Sequence, residues 1–228
     1  MANCLNPNCG KELKKGSFSS NLPYKKEAVE FIHTFTLNTS PGYCNSCGKP
    51  GMDKGRENAT ARDKELSATL NKHIKSLPIL SLQAPAGWKY TPLGLVTGQS
   101  VTGTGVFSEF ASSWTDLLGA QSKTYNKKIA GGEAICQTQL RIKCVEMGGN
   151  AILATDIDYA EVGGGKGMLM VCMTGTAVLL ENIEVLGPDA IDGLEILTQT
   201  AAKSREVRRF DHIIDSPIMY IPLTEEGV

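Results

Sequence analysis

The chain has 228 residues, 41% hydrophobic and 21% charged, with a formal net charge of −1, seven cysteines and three histidines. That length holds a small module plus one domain of ordinary size. Its longest apolar run, Met168 to Leu180, is interrupted by Thr174, Gly175 and Thr176, so it suits a buried strand and no membrane-spanning helix is expected.

The first element is a pair of cysteine half-sites, Cys4-Leu-Asn-Pro-Asn-Cys9 and Cys44-Asn-Ser-Cys47, each running into Gly-Lys. Short Cys-to-Cys loops let one turn of backbone supply two thiolates, and two such turns complete a tetrahedral site. The pattern predicts a zinc ribbon with Cys4, Cys9, Cys44 and Cys47 around one structural Zn2+. Four thiolates saturate the ion, so this zinc holds a fold and does not catalyse. The alternatives are two disulfides or four unrelated buried thiols. Disulfides need an oxidising compartment, and Met1 to Pro7 has no charged leader before an apolar core, so a cytoplasmic protein is expected. His33, between the half-sites, reads as a surface or packing residue.

Residues 1–76 carry 12 Lys and Arg against 7 Asp and Glu, whereas residues 77–228 carry 11 against 17. In the basic part Lys11, Lys14, Lys15, Lys25 and Lys26 are interleaved with Phe18, Tyr24 and Phe31. That pattern admits a nucleic-acid contact, while a solvated lysine-rich face is the plainer reading. Residues 57–76 place Leu66, Leu70 and Ile74 on one narrow helical stripe, which predicts a connecting helix. The sequence Ala84-Pro85-Ala86-Gly87 then breaks the pattern as a linker.

Leu93 to Thr97 and Ser100 to Thr102 read as one strand or a short hairpin around Gly98. Ser108 caps an amphipathic helix with Phe107, Phe110, Ala111, Trp114, Leu117 and Leu118. A longer helix is expected from near Ser122 to Met147, on the beat of Tyr125, Ile129, Cys136, Leu140, Cys144 and Met147. Gly131-Gly132 inside it predicts a kink or a close backbone contact. Two strands follow, Ala151 to Tyr159 and Met168 to Leu180. The loop between them, with Gly163-Gly164-Gly165-Lys166-Gly167, lacks the helix and the Ser or Thr that a phosphate-binding loop requires, so it is a hairpin tip.

Gly94-Leu95-Val96-Thr97-Gly98, Tyr125 opening the long helix, Gly149-Asn150-Ala151-Ile152, Asp156-Ile157-Asp158-Tyr159, Gly167 to Val171 and Gly175 to Val178 occur in an order and spacing that resemble the YbjQ family. These small bacterial and archaeal proteins are labelled heavy-metal-binding. The resemblance implies a compact two-layer α/β domain, helices on a small sheet, assembling as a homopentameric ring, and it implies no established reaction. Where the family carries an acid after Val-Thr-Gly, a Gly-Arg-Ser motif and an acid after the tyrosine, this chain has Gln99, Ala120-Gln121-Ser122 and Asn126.

Asp156 and Asp158 stand two apart on one strand face, and with Glu161 they are candidates for a second divalent cation of the hard, oxygen-preferring kind. Strand-end capping or pairing with a neighbouring subunit is the competing reading. Cys136, Cys144 and Cys172 read as core thiols. His73 lies in the polar helix and His212 in the tail, and no Ser-His-Asp or Cys-His set nominates an enzyme. Residues 181–228 predict a helix around Lys203 to Arg209 and a strand at Ile218 to Ile221, covering the domain or bridging subunits.

The expected organisation is thus an α+β chain: zinc ribbon 1–52, connecting helix and linker 53–90, YbjQ-like domain 91–180, and extension 181–228. Its expected role is non-enzymatic, a homo-oligomer displaying zinc ribbons to a macromolecular partner. A ring binding a ligand or cation at Asp156 and Asp158, and nucleic-acid binding by the ribbon, are the alternatives.

Overall fold

The computed structural model describes residues 3–14, 21–102, 125–162 and 168–215, the side chains of 102 and 125–128 excepted. The chain divides into two compact units, one of residues 1–66 with 203–228 and the other of residues 67–202.

The larger unit is built on a three-stranded antiparallel sheet. Strands β1 (Tyr90–Thr102), β2 (Ala151–Val162) and β3 (Met168–Leu180) are ordered β1-β3-β2, so the most apolar strand takes the centre. The residues around Gly98 form one continuous strand, paired from Tyr90↔Leu180 to Thr102↔Leu169. Along β3, Leu169, Val171 and Met173 are buried while Met168, Met170 and Cys172 are half-buried. This alternation leaves one face for a helix to cover.

That helix is α3 (Tyr125–Glu146). Cys136, Leu140 and Cys144, four residues apart, are fully buried against Val96, Val171, Met173 and Ala177. Gly132 resolves the expectation of a kink or a contact in favour of contact, because a Cβ there would lie 2.8 Å from Val171 Cγ2. Residues 103–124, and with them the Ser108 helix and the Ala120-Gln121-Ser122 segment, lie outside the described residues, as do the Gly163–Gly167 loop and the strand expected at 218–221.

The sheet edges are finished differently. On β1 the Gln99 amide donates to Gln139 Oε1 (2.8 Å) and Lys143 Nζ donates to the Thr97 carbonyl (2.6 Å), so α3 closes that edge. On β2 the segment at 78–82 pairs only as far as Thr155, whose amide donates to Leu80 O (3.0 Å). A bulge between Leu153 and Asp156 follows, with Ala154 at φ 53°. Past it, among the described residues, the outer edge of β2 has no backbone partner.

The described part of the tail holds a short 3-10 turn (Ile183–Val185), a long helix, α4 (Pro188–Arg208), and a single turn, α5 (Asp211–Ile214). Leu194, Leu197 and Ala201 join the core of the larger unit. Val207, Phe210 and Ile213 belong to the smaller unit's core.

That smaller core is aromatic. Helix α1 (Lys26–Phe35) buries Ala28, Phe31, Ile32 and Phe35, and Phe210 meets Phe31 and Phe35 edge-on at 5.6 and 5.8 Å. Helix α2 (Asn45–His73) begins inside the second cysteine half-site, ahead of the connecting helix expected over residues 57–76. Gly48, Gly51, Gly55 and Ala59 line its contact side. A Cβ at Gly48 would fall 2.4 Å from Tyr24 Cε2, and one at Gly55 would fall 2.8 Å from Phe31 Cε1. The small residues let bulky rings press on the helix, and this packing outweighs their poor intrinsic propensity. Leu66 packs against the aromatic core, whereas Leu70 and Ile74 are buried in the sheet unit.

Candidate metal centre

Cys4 and Cys9 sit on a turn closed by backbone pairing, in which the Cys4 amide donates to Lys11 O (2.8 Å) and the Cys9 amide to Asn6 O (3.0 Å). Gly10 follows in the left-handed region at φ 61°, where a side chain would be strained. The second half-site has a different architecture. Pro23 bridges to Cys44 beside it, and Cys47 lies in the first turn of α2, with the Gly48 amide donating to Cys44 O (2.8 Å). One half-site is therefore a turn and the other a helix start, where free amides and the helix dipole favour negative sulfur.

The four Sγ atoms lie within 4.8 Å of one another. Cys4 and Cys47 are 3.6 Å apart, Cys9 and Cys44 3.7 Å, and Cys44 and Cys47 3.7 Å. A disulfide would need about 2.05 Å. Tetrahedral Zn–S bonds of about 2.3 Å place neighbouring sulfurs about 3.8 Å apart. The observed edges fit that polyhedron, so this donor set suits a tetrahedral thiophilic ion, zinc or iron.

Electrostatics inside the cluster are uneven. Burial opposes ionisation of Cys44, but the amides of Cys47 and Ser46 and the neighbouring thiols overcome it and bring its pKa down to about 7. Cys47 is pushed up to about 12, first by burial and then by the thiols of Cys4, Cys9 and Cys44 crowding it. Cys4 is also raised, chiefly by burial. Four thiols this close cannot all ionise without a cation among them, and a divalent ion supplies it. His33 stands apart, bonded through Nε2 to Ser40 O (2.8 Å).

The remaining candidates separate. Asp156 and Asp158 are exposed on the sheet face turned away from α3, opposite Thr174 and Cys172. Glu161 pairs with Leu169, whose row faces α3. Strand alternation therefore corrects the expected trio, since Glu161 points to the other face. Among the described residues, the cysteine quartet is the group of three or more His, Cys, Asp or Glu gathered closely enough for a metal. Cys136 and Cys144 are buried, and burial lifts them to about 11 and about 12, so they remain neutral packing thiols. Of the basic cluster, Lys11, Lys14, Lys25 and Lys26 are exposed. Tyr24 and Phe31 are only 4% and 0% exposed, which removes them as base-stacking platforms. Asn6, missed in the sequence, donates from Nδ2 to Cys47 Sγ (3.6 Å). An asparagine between two cysteines is a weak signal because turn formation alone accounts for it.

Residues 83–181 match the family model for YbjQ, whose description reads "Putative heavy-metal-binding". Over these residues the chain is similar to that family. A crystal structure of a protein of unknown function from the DUF74 family of Pediococcus pentosaceus ATCC 25745 aligns over 45% of this chain and 96% of its own, at 20% identity and a TM-score of 0.29. The cysteine quartet lies outside the matching residues, in the other unit. No described helix is long and apolar enough to cross a membrane.

Proposed function

We propose that this chain is a non-enzymatic, zinc-clamped scaffold or binding protein. Cys4, Cys9, Cys44 and Cys47 hold one structural Zn2+, the YbjQ domain assembles as a homopentamer, and the clamped unit is displayed to a macromolecular partner in the cytoplasm. The observation that carries this reading is the convergence of four sulfurs from two half-sites 35 and more residues apart, with edges of 3.6–3.7 Å. Complete thiolate coordination leaves no open position for substrate, which supports a structural role. Thiolate ligands must stay reduced, which supports a reducing compartment. Assembly is supported by the outer edge of β2 past Thr155, which has no backbone partner among the described residues and where Ile157 and Tyr159 are 38% and 49% exposed. A ring repeating a weak docking site gains avidity without new contacts.

Elemental analysis joined to native mass measurement tests this reading. The expected result is one zinc per chain and five chains per particle. A metal-free chain that keeps its smaller unit folded would overturn the clamp, and a monomer at micromolar concentration would overturn the ring. A second divalent ion per chain, lost in Asp156→Ala/Asp158→Ala, would point to the exposed carboxylates.

A further inference from the structure

We infer that Asn6 is a positioning residue of the metal centre, its side-chain amide donating to Cys47 Sγ and setting how tightly the cluster keeps its ion. This rests on the metal reading above.

The amide cannot easily turn away from the sulfur. Asn6 Oδ1 accepts the Asn8 N–H (3.0 Å), and the Asn6 carbonyl accepts the Cys9 N–H (3.0 Å). With its oxygen committed to the turn, the side chain has only Nδ2 left to present, and Cys47 Sγ lies 3.6 Å from it. One half-buried residue of the first half-site therefore reaches a ligand of the second, 41 positions away.

Four thiolates around a divalent ion leave a net charge of −2, and that charge needs donors. Cys44 draws on the amides at the start of α2. Cys47, in the first turn of that helix and half-buried, meets the backbone amide of Cys44. Asn6 adds to it a side-chain donor that reaches across from the turn. Donors of this outer kind typically change metal affinity by about 10–100-fold when removed.

The test uses the full chain with Co2+ as a spectroscopic stand-in and Zn2+ in chelator competition, comparing wild type with Asn6→Asp and Asn6→Ala. Asp retains an oxygen for the Asn8 amide but removes the N–H and sets a negative charge beside the thiolate. The expected result is an affinity at least about 10-fold lower in Asn6→Asp, a sulfur-to-cobalt charge-transfer band moved to longer wavelength, and faster metal exchange. Asn6→Ala should shift the band in the same direction by less. Wild-type affinity with an unmoved band in Asn6→Asp would overturn the assignment, as would a loss confined to Asn6→Ala, which would reduce Asn6 to a turn former. Failure of the wild-type chain to take up either ion would instead bring down the metal reading itself, and this inference with it.

Discussion

The two units are stabilised by different means. The sheet unit buries an aliphatic core in which a helix, three strands and α4 share Leu140, Val171, Met173 and Leu194. The cysteine unit has a smaller core made largely of aromatic rings, drawn from both ends of the chain, and a cluster of thiols at its margin. A sheet with a covered face is self-sufficient in apolar burial, whereas a unit of turns and helices packed on a few rings relies on a cross-link to hold its turns. Among the described residues, the chain thus places its cysteine cluster in the unit with the smaller core.

The largest expected effect that would break this contrast comes from removing the metal, by chelation or by Cys44→Ser. Structural zinc contributes about 10–16 kcal/mol in small zinc peptides, so the cysteine unit should lose cooperative structure while the sheet unit stays folded. Hydrogen exchange would read this directly: amides of α1 should become unprotected and those of β3 should not. Equal loss in both would merge the units.

Next comes Leu140→Ala, a fully buried position in α3. It should destabilise the sheet unit by about 2–5 kcal/mol and leave zinc affinity unchanged, measured by denaturant unfolding beside a chelator titration. Gly55→Ala should act on the opposite unit. Its new Cβ would meet Phe31 Cε1 at 2.8 Å, an overpacking of about 1–3 kcal/mol, only partly offset by about 1 kcal/mol of helix propensity. A net gain in stability there would show the rings to be mobile enough to yield. The smallest effect belongs to Ala154→Gly. Relief of the positive φ at the β2 bulge should exceed the entropy cost of glycine and raise the sheet unit's stability by up to about 1 kcal/mol, read as a higher thermal midpoint.

What the sequence disclosed follows the same division. Period-two burial in β3 and the four-residue beat of Cys136, Leu140 and Cys144 are local signals, and they located the sheet and α3. The cysteine spacing likewise identified the four thiols, because ligand pairs are written into short loops. The first half of α2 was hidden, since Gly48, Pro50, Gly51 and Gly55 read as breakers until Tyr24 and Phe31 are seen pressing on them. No local pattern announces that the tail completes the amino-terminal core, where Glu30 and Arg209 pair 179 residues apart. The Glu161 grouping was avoidable, because alternation alone puts residues 156 and 161 on opposite faces. Asn6 was beyond reach, since its role depends on a sulfur from another half-site.

That long-range closure has a consequence for biosynthesis. At about 5–20 residues per second, Phe210 emerges roughly 9–36 s after Phe31, so all four amino-terminal cysteines are made well before their hydrophobic pocket is complete. A premature stop upstream of Lys203 would consequently injure the opposite extremity of the polypeptide, leaving Phe31 and Phe35 bare while all four clustered cysteines are still encoded.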